Sequence, residues 1–290
     1  MEFRLAKNED RKEIMEIFQV SFKETDENLN FFFNHKFKNN NCVVCKDNNK
    51  IVAFLNMFDT KLVGVKSLEK ANYIYAAATH PLYRKNGYMS KLIIYSNMLA
   101  ESRGHKYSTL LPATDSLYKY YQKLGYINFF KSQFLELNQT EIVKYVNNIL
   151  QSEKILSFDN LNRLRFNICK DHLGTIIWNS NDIKYASEMN QNYGGTTVCS
   201  NDGYAICYKS DNDTLQIIEF MVDKNNFNNL ITLIYNKYPD LKSYKFRLPL
   251  FNNYFGINGC CKNFGMIKPL NKSDFTINKY KSPYLGLPLD

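Results

Sequence analysis

A strand, a helix and a strand follow one another within the first half of this chain, and that succession sets the fold class. The run Tyr73-Ile74-Tyr75-Ala76-Ala77-Ala78-Thr79 has strand character, and residues 107–111 form another such run. Between them, residues 88–103 carry Met89, Leu92, Ile93, Ser96 and Ala100 on one helical face, with Gly104 as the stop. Two strands joined through one helix lie parallel in a sheet, because the crossover returns the chain to the edge it left. The expectation is an α/β fold.

Around this crossover the elements read β-α-α-β-β-β-α-β-α-β. A strand at residues 3–6 precedes a helix capped by Asn8, with Glu9 and Asp10 in its first turn and Ile14, Ile17, Phe18 and Phe22 as its buried stripe. A Phe-rich helix covers residues 29–37, and strands at 42–45 and 51–58 form a hairpin around Asp47-Asn48-Asn49-Lys50. A short helix ends at Leu124-Gly125, and one strand runs from 127 to 137. Much of this order recurs: a hairpin at 196–208 turning at Asn201-Asp202-Gly203, a strand at 215–222, a helix at 226–235 and a strand at 243–248. That last strand closes in Leu248-Pro249, as the first half closes in Leu111-Pro112. An internal duplication is therefore expected, with a helix around 140–150 joining the halves. A chain of 290 residues exceeds one domain of roughly 100–200 residues, so two domains are assigned, 1–138 and 139–290.

With 44% hydrophobic and 22% charged residues the chain can bury a large core, which excludes wholesale disorder. The formal net charge is +9, from 37 Lys and Arg against 28 Asp and Glu. No single basic block dominates and asparagine makes up roughly an eighth of the residues, so compositional drift competes with a role in binding an anion. Basic residues are not interleaved with stacking aromatics on one strand face, and nucleic acid is not an expected partner. Seven cysteines are an odd, scattered set that argues against a disulfide framework. Cys42 and Cys45 form a lone C-x-x-C in an apolar run, read as two buried strand residues; no metal is expected. No stretch approaches the ~20 apolar residues of a membrane span, so the protein is expected to be cytoplasmic, without a membrane partner.

The segment that carries chemistry is Thr79-His80-Pro81-Leu82-Tyr83-Arg84-Lys85-Asn86-Gly87-Tyr88-Met89-Ser90. A strand ends, a loop supplies Arg, Lys and Gly, and a helix begins at once. Helix starts present unpaired N–H groups and partial positive charge. Gly87 permits close backbone approach, and Arg84 and Lys85 add charge. Such a cradle suits a diphosphate, although an ordinary strand-to-helix connection with solvated basic residues has the same composition. The pattern is neither a P-loop nor a dinucleotide-binding fingerprint.

Thr79 to Met89 resembles, position by position, motif A of the GNAT superfamily of N-acetyltransferases, V-x-P-x-Y-R-x-x-G-x-G/A. Thr79 stands in place of Val and Met89 in place of a small residue. Tyr121-Gln122-Lys123-Leu124-Gly125-Tyr126 resembles motif B, Y-x-x-x-G-[FY], at the expected distance. A bulky residue at the Met89 position also occurs in the branch named for enhanced intracellular survival, whose tandem acetyltransferase-like domains match the duplication. That branch's sterol-carrier-like third domain is expected to be absent from a chain of this length.

The resemblance implies two tandem GNAT-like domains, each a mixed, mostly antiparallel sheet with flanking helices. It implies acetyl-CoA as co-substrate. The backbone of Ala77, Ala78 and Thr79 would pair with the pantetheine arm, and the amides of Lys85, Asn86, Gly87, Tyr88, Met89 and Ser90 would hold the diphosphate beside Arg84. Tyr121 would be the general acid toward the departing thiolate, and the acceptor would be an amine on a small molecule or peptide. Strand 73–79 carries no Asp or Glu to serve as base. His80 is one candidate. The terminal carboxylate of Asp290 is the other, by resemblance to the same branch, at the end of an apolar tail expected to dock as a strand. The second half reads Val222-Asp223-Lys224-Asn225-Asn226 at the cradle position and lacks Arg-x-x-Gly. It is read as a non-catalytic domain that shapes the acceptor pocket or an interface in a homo-oligomer. The alternative function is a protein that binds acyl-CoA as a sensor, without turnover.

Overall fold

The computed structural model describes residues 1–147, 152–271, 275–287 and 289. In chain order the elements are β1 (Glu2–Leu5), α1 (Arg11–Phe22), α2 (Asp26–His35), β2 (Cys42–Asp47), β3 (Lys50–Val63), β4 (Leu68–Thr79), α3 (Tyr88–Ser102), β5 (Tyr107–Leu110), α4 (Asp115–Gln122) and β6 (Ile127–Asn128). There follow β7 (Lys131–Asn138), α5 (Gln139–Ile142), α6 (Phe158–Cys169), β8 (Ile176–Ile177), α7 (Ser180–Asn192), β9 (Thr196–Cys199), β10 (Gly203–Lys209) and β11 (Thr214–Val222). The chain closes with α8 (Phe227–Lys237), β12 (Ser243–Leu248), β13 (Cys260–Asn263) and β14 (Met266–Pro269).

Two compact units form, and neither is contiguous. The first comprises Met1–Lys61, Leu68–Phe129 and Gly265–Ile277; the second comprises Leu62–Ser67, Phe130–Phe264 and Asn278–Asp290. A single boundary at 138/139 therefore does not describe the contact pattern. The strand expected at 127–137 is two strands in two sheets, because the chain changes unit between the buried residues Phe129 and Phe130. It changes back between Phe264 and Gly265, where Gly265 takes φ +126, a value open to glycine.

In the first unit the strand order is β1-β2-β3-β4-β5-β14-β6. Asn48 and Asn49 take φ of 47 and 63 between β2 and β3, the paired left-handed turn that matches strand twist in a tight hairpin. β4 and β5 pair in parallel through α3, as the crossover requires. β14 then fills the slot between β5 and β6, antiparallel to both, with Met266 opposite Leu110 and Asn128. Leu92, Ile93 and Ala100 of α3 pack with Ala53, Leu55, Met57, Ile74, Leu110, Tyr121, Tyr126 and Met266 in one core. Elsewhere in the unit, Phe18 stacks on Phe54 and meets Phe32 tilted and Phe33 edge-on, and Tyr75 joins Phe32 at 5.5 Å.

Local differences from expectation have physical causes. α1 begins at Arg11 because a 3-10 turn takes Asn8–Asp10, where Asp10 reaches back to the Lys7 amide at 2.7 Å and to the Arg4 guanidinium. Phe22 is 42% exposed, since it lies at the helix end, just before the left-handed cap Lys23. The joining helix shrinks to α5 plus a 3-10 turn at Val143–Tyr145, as Thr232 Oγ1 takes the Asn147 amide at 2.8 Å. Residues 148–150 of that expected helix lie outside the described residues. Cys42 and Cys45 are buried on β2, as read from their apolar run, and burial pushes the Cys45 thiol up to about 11.

The second unit has the order β13-β7-β12-β11-β10-β9, and β11 and β12 are parallel through α8. The crossover thus occurs twice, and the duplication is visible as geometry. Here β7 fills the slot between β12 and β13 that β14 fills in the first unit. A buried ion pair joins Arg165 of α6 to Glu219 of β11 at 2.9 Å, and Tyr284 Oη donates to the same carboxylate at 3.1 Å. The apolar tail around Tyr284-Leu285 is buried but is not a strand; its carbonyls take the Ile176 amide and Trp178 Nε1, each at 2.9 Å.

Because β14 completes the first sheet, a fragment ending at Asn138 leaves β5 and β6 without their shared partner. Such a fragment is expected to show no cooperative urea transition, whereas the whole chain should show one; a sharp transition in the fragment would contradict the topology.

Candidate active site

β4 outruns β5. Their pairing extends from Ala71–Tyr107 to Ile74–Leu110, yet β4 continues five residues to Thr79. Just past the last pair, Ala76 takes φ +49, a conformation that costs an L-residue about 1–2 kcal/mol and interrupts the strand. The backbone of Ala77, Ala78 and Thr79 follows this interruption, beyond the reach of β5.

The loop is pinned at its entrance. His80 Nδ1 accepts the Leu82 amide at 3.3 Å over a 3-10 turn at Pro81–Tyr83, and Arg84 Nε donates to the Thr79 carbonyl at 3.1 Å. Asn86 Nδ2 donates to the Tyr83 carbonyl at 3.3 Å. Lys85 and Gly87 both adopt left-handed φ, 68 and 76. Gly87 is the N-cap of α3 and supplies no capping side chain. Among the described residues, nothing accepts the backbone N–H groups of Lys85, Asn86, Gly87, Tyr88, Met89 and Ser90. Successive unfilled amides line the positive end of a 15-residue helix, an arrangement that suits an anion. Arg84 and Lys85 are exposed beside it.

Two side-chain contacts hold the first turn of α3. Tyr88 Oη donates to Asp47 Oδ2 at 2.6 Å, and Ser90 Oγ lies 3.0 Å from Tyr120 Oη on α4. The second contact links the loop to the helix that carries Tyr121.

α4 bears three tyrosines, and their hydroxyls are treated differently. Tyr118 Oη accepts the Gly265 amide at 3.2 Å, and Tyr120 meets Ser90. Tyr121 is only 8% exposed, rings against Tyr120 and Tyr126, and its hydroxyl has no hydrogen-bond partner among the described residues. Burial, with Tyr126 and Tyr120 nearby, pushes the Tyr121 phenol well above its ordinary value. It therefore keeps its proton across the physiological range. The turn after α4 is supported from far along the chain: Lys268 Nζ donates to the Leu124 carbonyl at 2.7 Å. Lys268, Gly265 and Asp47 carry no local sequence signal for this role, because long-range pairing alone brings them here.

Asp290, read from sequence as a candidate base, lies outside the described residues. Glu69 is an acid on β4, but it is occupied by Lys106 and by Tyr107 Oη, each at 2.8 Å. At the corresponding strand end of the second unit, Asp223 caps the turn by accepting the Asn225 amide at 2.9 Å, and α8 starts at Phe227. A cavity of about 540 Å³ there is lined by Asp202, Asp223 and Lys224 together with several asparagines. No group of three or more His, Cys, Asp or Glu that could hold a metal ion occurs among the described residues, and no helix there is long and apolar enough to cross a membrane.

Residues 2–129 match the family model of the acetyltransferase (GNAT) domain. That stretch is similar to a GNAT domain. Solved structures extend the fold over both units. A GCN5-related N-acetyltransferase from Anabaena variabilis superposes with a TM-score of 0.74 at 15% identity, covering 93% of this chain and 73% of its own. Eis1 from Mycobacterium abscessus gives 0.69 at 8% identity, over 93% and 74%. A tandem GNAT protein from the clavulanic acid biosynthesis pathway gives 0.52 at 10% identity, over 94% and 100%. The fold is accordingly two tandem GNAT-like domains. No curated protein sequence matches the chain.

A Cβ built on Gly87 meets no atom within 4 Å, so its constraint is conformational rather than steric. Gly87→Ala is expected to cost about 1–2 kcal/mol in urea unfolding, and Gly87→Asn clearly less, because Asn tolerates left-handed φ. Equal losses for the two would contradict this account.

Proposed function

We propose that the first unit is an acetyl-CoA-dependent N-acetyltransferase that moves acetyl to an amine of a small molecule or peptide by direct attack on the thioester. The carrying observation is the row of unoccupied amides from Lys85 to Ser90 beside Arg84. In this reading they hold the coenzyme diphosphate, and the backbone of Ala77, Ala78 and Thr79 pairs with the pantetheine arm as an added strand. Catalysis is then mainly positioning of amine against thioester.

Tyr121 supplies the polar group at the thiol. Its hydroxyl is the one of the three on α4 without a partner among the described residues, which leaves it available to the departing sulfur. A phenol raised above its usual value is a weaker acid than an ordinary thiol near 8.5, so complete transfer to the thiolate runs uphill. Tyr121 therefore acts chiefly by hydrogen-bonding the sulfur as charge develops, and the proton follows once the amine has lost its own. Nδ1 of His80 accepts the Leu82 amide, which puts the neutral ring's proton on Nε2, so His80 acts as a base only by releasing Leu82 and taking the proton on Nδ1; it stays a candidate on those terms beside the Asp290 carboxylate. The second unit, with Asp202 and Asp223 at its corresponding cleft, is read as a non-catalytic domain.

Thiol release from acetyl-CoA over a panel of amines tests the proposal. Tyr121→Phe is expected to lower kcat about 10- to 100-fold with little change in coenzyme affinity, while Arg84→Ala weakens coenzyme binding about tenfold. Coenzyme binding without thiol release for any amine would favour a sensor; an unchanged rate in Tyr121→Phe would remove it from the mechanism.

A further inference from the structure

Helix starts are ordinarily steadied by a side-chain cap that takes one of the free amides. α3 has none, since its N-cap is Gly87. A cap would occupy the very N–H groups that a bound anion needs. The first turn of α3 is instead held from the side, at two points. On the hairpin between β2 and β3, Asp47 Oδ2 takes the hydroxyl of Tyr88, the first helical residue, at 2.6 Å. This is a short, charge-assisted bond. The Tyr83 ring packs edge-on against Tyr88, with centroids 6.3 Å apart. Two residues further along α3, Ser90 Oγ meets Tyr120 Oη of α4 at 3.0 Å. Neither contact uses a backbone N–H of the loop.

We propose that Asp47 and Tyr120 are positioning residues that brace the first turn of α3 from the hairpin and from α4, keeping the amides of Lys85–Ser90 both ordered and vacant for the diphosphate of acyl-CoA. The inference rests on the reading of this loop as the coenzyme cradle and names residues outside it. Ordering the loop before the ligand arrives removes part of the entropy cost of binding. The Tyr120 brace also couples the cradle to the helix whose next residue is Tyr121. The tyrosine-hydroxyl bond holds the Asp47 carboxyl below its usual range, so Asp47 remains an acceptor throughout neutral pH.

Isothermal titration of the full chain with coenzyme A tests the braces without an acceptor. Asp47→Ala and Tyr120→Phe are each expected to weaken binding about three- to tenfold. Asp47→Asn should recover most of the loss, because its amide oxygen still accepts from Tyr88. Within one brace the losses should not add: Asp47→Ala with Tyr88→Phe, and Ser90→Ala with Tyr120→Phe, should each match the worse single variant, whereas Asp47→Ala with Tyr120→Phe should multiply. Unfolding midpoints should stay within about 2 °C of the parent. Coenzyme affinity unchanged in both single variants, additive losses within a brace, or losses that track the unfolding midpoint would overturn the inference alone. A parent chain that binds no coenzyme A would overturn the cradle reading, and the braces with it.

Discussion

The parting of β4 from β5 is the constraint on which the first unit depends. The two strands are parallel neighbours for four residue pairs, ending at Ile74–Leu110, and then β4 continues past β5 through the left-handed Ala76 with only β3 beside it. Hydrogen bonding in a sheet is normally continued to the strand end, because unpaired backbone groups are costly. On the β3 side the backbone stays engaged as far as the His80 amide, which donates to the Val52 carbonyl at 3.0 Å, whereas the β5 side of the run beyond Ile74 is open and leads into a loop whose amides no described residue accepts. The open strand edge and the unfilled helix start are consecutive consequences of one crossover.

Satisfying the rest of that sheet required distant parts of the chain. β14 lies about 140 residues beyond β6 in sequence, yet it separates β5 from β6 and places Gly265 against Tyr118 and Lys268 against the turn after α4. Met266 joins Tyr121 and Tyr126 in the core. The second unit meets the same need with β7, which stands between β12 and β13. The first unit thus owes an interior strand to a separate part of the chain, whereas β7 belongs to the second unit's own main segment, and the chain changes unit at Phe129–Phe130 and at Phe264–Gly265.

Much of this was legible in the sequence where the signal is local. The crossover, the Asn48-Asn49 hairpin and the face of α3 follow from periodicity and turn chemistry, and the cradle follows from Arg84, Lys85 and Gly87 at a helix start. What was not legible is set by pairing over long distances. Periodicity alone cannot say that residues 127–137 divide between two sheets, since both halves alternate as strands do. Nor does it distinguish Tyr118, Tyr120 and Tyr121; only their different partners, Gly265, Ser90 and none, separate them. The shortened helix after Asn138 follows from the Asn147–Thr232 contact, which has no counterpart in local propensity.

If the amides from Lys85 to Ser90 are left vacant for an anion, coenzyme A must cover them. Amide hydrogen exchange followed by mass spectrometry, on the full chain with and without coenzyme A, addresses those groups directly. Coenzyme A is expected to slow exchange over residues 85–90, with little change around Asp223–Asn226 in the second unit. Exchange that is unaltered at 85–90 in the presence of bound coenzyme would contradict that expectation.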